Sequence, residues 1–286
     1  MGSLTIIGMG LYSADDISLR ALKALHKSDI IYLEGYTSYL PQSIQSMNES
    51  LGVRIIPIGR REVEQDDIII KESKEKNVAF IVIGDPLSAT THQELLLRAS
   101  KEGIRTSIIN NVTVLSAVSR SGLDAYKFGK TGSLVYPRKN WFPTTAYNIL
   151  AENIRIKAHT LLLLDIVTSQ SEIALLDYGR ANLRELYDRH NSSNGLTSLD
   201  NNPIIMMSPN EAISLLLEIE KTESKGILSQ NHNIIVCSRL CSPNESIIYG
   251  PMSKLMSIMH GIGPHCIIVP SDLHFIEEQA LEEYNI

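Results

Sequence analysis

A chain of 286 residues, 43% hydrophobic and 20% charged, is long enough for one large or two ordinary domains and too apolar for a disordered segment. Its formal charge of −6 argues against a general phosphate-binding surface, so nucleic acid is not expected as a partner. Three cysteines cannot build a disulfide framework, no apolar run reaches membrane-spanning length, and no basic-then-apolar leader opens the chain. A cytoplasmic protein without membrane contact is expected.

Leu4 to Ile7 reads as a first short strand, followed by Gly8-Met9-Gly10-Leu11. Ser13 is placed to cap a helix, with Asp15 and Asp16 near its positive end and Ile17, Ala21, Ala24 and Leu25 on one face. Asp29 to Leu33, Val53 to Ile56, Val78 to Ile83 and Thr106 to Ile109 give four further strands separated by helical segments. This alternation predicts a mainly parallel α/β domain over residues 1–112. Gly8-x-Gly10 invites a dinucleotide reading with Glu34 as ribose partner, but Ser13 stands where the third glycine belongs, and the pair alone is weak.

The Val78 to Ile83 stretch is apolar on both faces, as a buried parallel strand is, and Gly84-Asp85-Pro86 ends it. Thr91 with Glu94 forms a capping-box pattern for the next helix, whose inner face is Leu95, Leu96 and Ala99. Open α/β sheets place ligands at such strand-to-helix turns, where backbone N–H groups and the helix dipole converge. Asp85 stands there either as a ligand-facing acceptor or as the residue that shapes the turn.

Asn110 to Gly122 links the halves, with Thr113, Val114, Ala117 and Val118 able to face inward. Trp141, the only tryptophan, reads as a packing anchor. His159 to Asp165 is a buried strand ending in a carboxylate, which orients a cationic substrate group or closes a turn. The polar stretch 181–202, with Asn191-Ser192-Ser193-Asn194-Gly195, reads as a loop insertion, and its glycosylation pattern carries no weight without a leader. Ser208-Pro209-Asn210-Glu211 starts a helix with Ala212, Leu215, Leu216 and Ile219 as its apolar stripe. Asn233 to Ser238, Ser246 to Tyr249 and Cys266 to Val269 follow as strands, with a last helix from about His274. Strands this close predict a mixed sheet with antiparallel members over 113–286, and so two α/β domains with a cleft between them.

The segments IIGMGLYSADDIS from Ile6, GDPLSATTH from Gly84, KFGK from Lys127, NWFPT from Asn140 and HTLLLLDI from His159 resemble those of the diphthine synthases. These belong to the tetrapyrrole-methylase-like S-adenosylmethionine (SAM) methyltransferases, and the similarity runs in order over most of the chain. Tyr32 to Ser38 and Arg60 to Gln65 share it, although Arg61 stands where an acidic residue is usual. The resemblance implies SAM as methyl donor, leaving S-adenosylhomocysteine, and a homodimer. It implies as acceptor the amino group of 2-(3-amino-3-carboxypropyl)histidine on translation elongation factor 2, methylated repeatedly in diphthamide biosynthesis. The family divides over a further transfer to the carboxylate.

Cofactor contacts are implied for Leu11, Asp85, Ser88, Thr113, Val114, Leu164, Leu240 and His265, with Ser88 standing where many members have glycine. No catalytic residue is implied: direct displacement needs a neutral amine in line with the methyl group, and no covalent nucleophile. Cys237, Cys241, Cys266 and His265 lack a Cys-x-x-Cys spacing and read as buried thiols beside a histidine, so no metal is expected. The rival readings are a tetrapyrrole methyltransferase of the same fold and a non-enzymatic α/β module that binds a nucleotide or protein.

Overall fold

A computed structural model of the chain describes residues 2–168, 170–176 and 204–286; the expected loop insertion over 181–202 lies outside them. The chain divides into two units, the first ending at Leu115 and the second beginning at Ser116. In the first, β1 (Ser3–Gly8), β2 (Ile30–Glu34), β3 (Ile56–Ile58), β4 (Asn77–Val82) and β5 (Arg105–Ile109) form one sheet in the order β3-β2-β4-β1-β5. All its pairings are parallel. The central strands β2, β4 and β1 are largely apolar because both faces are covered, whereas the edge strand β5 begins with the exposed Arg105, Thr106 and Ser107. Ile7, Ile31, Leu33, Ala79 and Ile81 pack with Ala21, Leu25, Met47 and Leu51 of the helices Leu19–Leu25 and Ile44–Leu51. Leu4, Ile6, Tyr32, Phe80 and Val82 pack on the other face with Ile69, Ile70, Leu95 and Ala99 of the helices Ile68–Ser73 and Gln93–Lys101.

This sorting fixes the topology. The connections leaving β1 and β2 run towards β3 over one face, whereas those leaving β3 and β4 run back towards β5 over the other. The direction therefore reverses between the adjacent strands β1 and β4, whose C-terminal ends form a topological switch point.

Three local expectations are corrected. The third strand is Ile56–Ile58 rather than Val53 to Ile56; Pro57 is tolerated because β3 is an edge strand. Ser13 caps only a 3-10 turn, Ala14–Asp16, by a reciprocal capping box with Asp16, and Ser18 caps the α-helix that follows. Thr91 does not cap the helix after Pro86: His92 occupies that position with no side-chain cap, and Thr90 instead donates its hydroxyl to the Pro86 carbonyl at 3.1 Å.

The second unit holds a five-stranded mixed sheet, as expected. Its strands β6 (Gly132–Leu134), β7 (Thr160–Leu164), β10 (Asn233–Ser238), β11 (Ser246–Pro251) and β12 (His265–Val269) lie in the order β11-β10-β12-β7-β6. Only β6 and β7 pair in parallel. A small antiparallel pair, β8 (Ile166–Val167) with β9 (Ile205–Met206), follows β7. The core places Leu162, Ile234, Val236 and Ile267 against Tyr147 and Leu150 of Thr145–Arg155 and Leu216 and Ile219 of Pro209–Glu223. The latter helix starts with the full capping box read from its sequence: the Glu211 amide donates to Ser208 Oγ at 3.2 Å and the Ser208 amide to Glu211 Oε2 at 2.6 Å. Trp141 is not the expected packing anchor; half its surface is exposed, and the Arg138 guanidinium lies 5.8 Å from its ring centre.

A buried ionic clasp ties the N-terminal end of β7 to the last helix, Phe275–Glu282. Glu277 accepts from His159 Nε2 at 2.9 Å, the Asp124 amide at 2.9 Å, the His274 amide at 2.8 Å and the Lys127 ammonium. Burial alone would raise its carboxyl; the two amides, Lys127 and His159 overcome this and hold it at about 2. His159 Nδ1 accepts from the Ser271 amide at 2.9 Å, so the proton of this neutral ring sits on Nε2 and points at Glu277.

Candidate functional site

At the switch point the loops following β1 and β4 are laced together. The Gly84 amide donates to the Gly10 carbonyl at 2.8 Å and the Gly10 amide to the Gly84 carbonyl at 3.3 Å. Gly84 has φ +80°, and a Cβ there would come within 3.7 Å of Leu11 Cδ2 and 3.8 Å of the Val112 carbonyl. Three loops thus converge on a cradle that a side chain at Gly84 would begin to fill. Leu11, Ser88, Thr113 and Val114, which follow β1, β4 and β5, are all half-buried.

Asp85 is the organiser of this cradle rather than a free acceptor. Its Oδ1 accepts from the Leu87 amide and the Ser88 hydroxyl, both at 3.0 Å. Its Oδ2 accepts from Asn110 Nδ2 at 3.0 Å and the Asn111 amide at 3.3 Å. Burial alone would raise the carboxyl, but these hydrogen bonds outweigh it and lower it. The Ser88 hydroxyl is thereby turned inward to the turn. Asn111 completes the lacing by donating Nδ2 to the carbonyls of Gly8 and Asp16, each at 3.0 Å.

One strand further along the same edge, Glu34 ends β2 fully buried. Its Oε2 accepts from the Thr37 hydroxyl at 2.7 Å, while Oε1 has no hydrogen bond of good geometry, although the Tyr36 and Thr37 amides lie near enough to favour its charged form. Burial prevails and pushes the carboxyl up to about 7. A loop reading of Glu34-Gly35-Tyr36-Thr37-Ser38 could not anticipate this, because the burial of Glu34 comes from the packed fold.

In the second unit, Leu164, Leu240 and His265 meet at one edge of the mixed sheet, where β6, β7 and β10 end and β12 begins. Ser238 pairs with His265 in the β10–β12 register. His265 Nδ1 lies 2.8 Å from Ser238 Oγ and Nε2 lies 3.3 Å from the Gly261 carbonyl. The carbonyl can only accept, so the ring donates from Nε2 and accepts from Ser238 at Nδ1. Burial and the nearby Arg239 push the imidazole down to about 4, so it is neutral at physiological pH.

Asp165 immediately follows Leu164 on this edge. Its sequence leaves it open between a substrate role and a turn role; here its Oδ2 accepts the amide of Tyr136, which follows β6, at 3.0 Å. Cys237 and Cys266 face each other in the β10–β12 register as buried free thiols, as expected, whereas Cys241, also expected to be buried, is only half-buried.

Residues 3–192 match the family of Tetrapyrrole (Corrin/Porphyrin) Methylases, a class of SAM-dependent methyltransferases. A diphthine synthase of Methanocaldococcus jannaschii is 36% identical over 281 residues, covering 98% of this chain and 97% of that protein. A crystal structure of diphthine synthase superimposes with a TM-score of 0.78 at 29% identity, over 99% of this chain and 95% of that one. A candidate diphthine synthase from Entamoeba histolytica reaches a TM-score of 0.84 at 30% identity, over 100% and 99% of the two chains. Within the tetrapyrrole methylases, this chain belongs to the diphthine synthase family.

Proposed function

We propose that the chain transfers methyl groups from SAM to the amine of 2-(3-amino-3-carboxypropyl)histidine on translation elongation factor 2, repeatedly, in diphthamide biosynthesis. The observation that carries this reading is the meeting of Leu11, Gly84 and Val112 at the switch point, laced by the hydrogen bonds of Asp85 with Ser88 and Asn111, in a chain of this family. SAM supplies an already activated methyl group, so the protein's tasks are binding, orientation and exclusion of water. Leu11, Ser88, Thr113 and Val114 are the first group of cofactor residues implied by the family, and Asp85 ties the loops after β4 and β5 together. Leu164, Leu240 and His265 are the second group of cofactor residues implied by the family.

The acceptor must be an amine with a free lone pair. An unmodified histidine offers only a ring nitrogen several bonds from the reacting position, and a misplacement of ~1 Å costs on the order of a hundredfold in rate. Calorimetry should find one S-adenosylhomocysteine site per chain. Methyl-labelled SAM should then label the modified factor and leave the unmodified factor and a tetrapyrrole unlabelled. Labelling of the tetrapyrrole alone would transfer the assignment to the other branch of the class, and equal labelling of unmodified factor would remove the proposed nucleophile.

A further inference from the structure

We propose that residues 35–42 form a strap over the C-terminal edge of the first sheet, latched closed by the protonated Glu34 carboxyl and released when that carboxyl ionises. The strap lies wholly within the first unit, and its working is independent of what that edge binds.

The path of the chain defines the strap. All five strands of this sheet run in parallel, so all of them end on the same edge. Tyr36, two residues after β2, packs on the face that holds Tyr32, Val63 and Phe80. Leu40, four residues later, packs on the opposite face with Leu33, Met47 and Leu51. The chain between them therefore crosses the edge, with Thr37 exposed at the crossing. At the near end the Gly35 amide donates to the Ile58 carbonyl at 3.2 Å. At the far end Gln42 Oε1 accepts the Ala14 amide at 2.8 Å. Ala14 opens the turn whose Asp16 Oδ2 accepts the Leu11 amide at 3.2 Å and the Tyr12 amide at 2.7 Å. The strap thus ties the end of β2 to the loop after β1, the loop that meets Gly84 at the switch point.

Glu34 stands where it can work this strap. Its side chain is fully buried; the Thr37 hydroxyl, part of the strap, donates to Oε2 at 2.7 Å, and Oε1 is left without a partner. A carboxylic acid is tolerated in such a place, whereas a carboxylate with one bare oxygen is not. The charges around it do not compensate. Arg60, on the helix Arg60–Glu64, favours the ionised form but is exposed, 5.2 Å from the centre of the Tyr36 ring. Glu64 of that helix works against any negative charge on Tyr36. Arg98, on the helix Gln93–Lys101, is engaged by Asp67 and by the Val63 carbonyl at 3.2 Å. Glu72, on the helix Ile68–Ser73, is paired with Lys76 at 2.6 Å. Burial raises the hydroxyls of Tyr32 and Tyr36, so both rings stay neutral.

The sign of the response follows. In the closed strap, burial outweighs Thr37, the Tyr36 amide and Arg60, and Glu34 keeps its proton up to about 7; once in water it would lose it at about 4.5. Opening is then favoured about tenfold per pH unit between these values and levels off above them, a gain on the order of a hundredfold or more.

Hydrogen exchange of the native chain, followed amide by amide from pH 4.5 to pH 8, tests this. The Gly35 and Ala14 amides should exchange through an opening insensitive to low urea, while the Met9 amide, bonded to the Val82 carbonyl at 2.8 Å, waits for urea-sensitive unfolding. Relative to Glu34→Gln, which cannot ionise, opening in the native chain should climb by the factor above and level off near pH 7. Thr37→Val, a change at an exposed position, removes a donor that favours the carboxylate and should move the levelling point to higher pH. The same pH dependence in the native and glutamine chains would overturn the proposal. So would a levelling point that Thr37→Val leaves in place, exchange of Gly35 and Ala14 only by urea-sensitive unfolding, or a response at Gly35 that Ala14 does not share.

Discussion

Glu34 concentrates the cost of this fold into one side chain. A carboxyl whose folded pKa lies near 7, above its ordinary value, binds a proton more tightly when folded, so its contribution to stability is greatest in mild acid and is lost as pH rises through about 7. Glu34→Gln keeps the shape and removes the titration. The variant's stability relative to the native chain should therefore rise from about pH 4.5 to about pH 7 and then level off, by at most about 3 kcal/mol. Urea unfolding of both chains across that range measures it; a constant difference would mean that Glu34 is not desolvated. The sequence placed Glu34 at a strand end but could not price its burial, since hydrophobic covering is a property of the packed fold. Trp141 failed in the opposite direction, a large ring read as buried that lies half-exposed under Arg138.

At the scale of elements, the strand-and-turn logic of the first unit was legible because fully covered parallel strands leave long apolar runs between glycine-containing turns. Short elements were not. β6, β8 and β9 have two or three residues each, too few for any period to show. Nor could the sequence decide between the two roles of Asp85, because the deciding partners, Asn110 and Asn111, lie 25 and 26 residues away. With four donors on its carboxylate, Asp85→Ala should cost about 2–4 kcal/mol of stability and weaken S-adenosylhomocysteine binding together. Thermal unfolding and calorimetry on the same preparation separate the alternatives. Lost affinity at unchanged stability would mean that the carboxylate faces the ligand after all.

Across the whole molecule two buried acids, Glu34 in the first unit and Glu277 in the second, respond to pH with opposite sign, although Asp85 in the first unit is lowered like Glu277. Glu277, held at about 2 in the second unit, contributes stability that is complete above the ordinary glutamate value and is lost as pH falls from about 4.5 towards 2. His159 adds to this, since its buried neutral ring is penalised as pH falls below the ordinary histidine range. In the first unit, Glu34 is instead favoured by protonation. Acid should therefore loosen the second unit before the first. Trp141 is the only tryptophan and belongs to the second unit, so its fluorescence reports that unit. Its acid transition should lie at higher pH than the final loss of far-ultraviolet dichroism, and coincident transitions would show that the units unfold as one.

The paired peptides of Gly10 and Gly84 bear on how such chains diverge. Each glycine lends its amide to the other's carbonyl, and each has a positive φ that a side chain would strain. A replacement in one loop displaces the other as well, so the two positions, 74 residues apart in sequence, form a single unit of heredity. Descendants of this chain that abandon one glycine are expected to have rebuilt both loops.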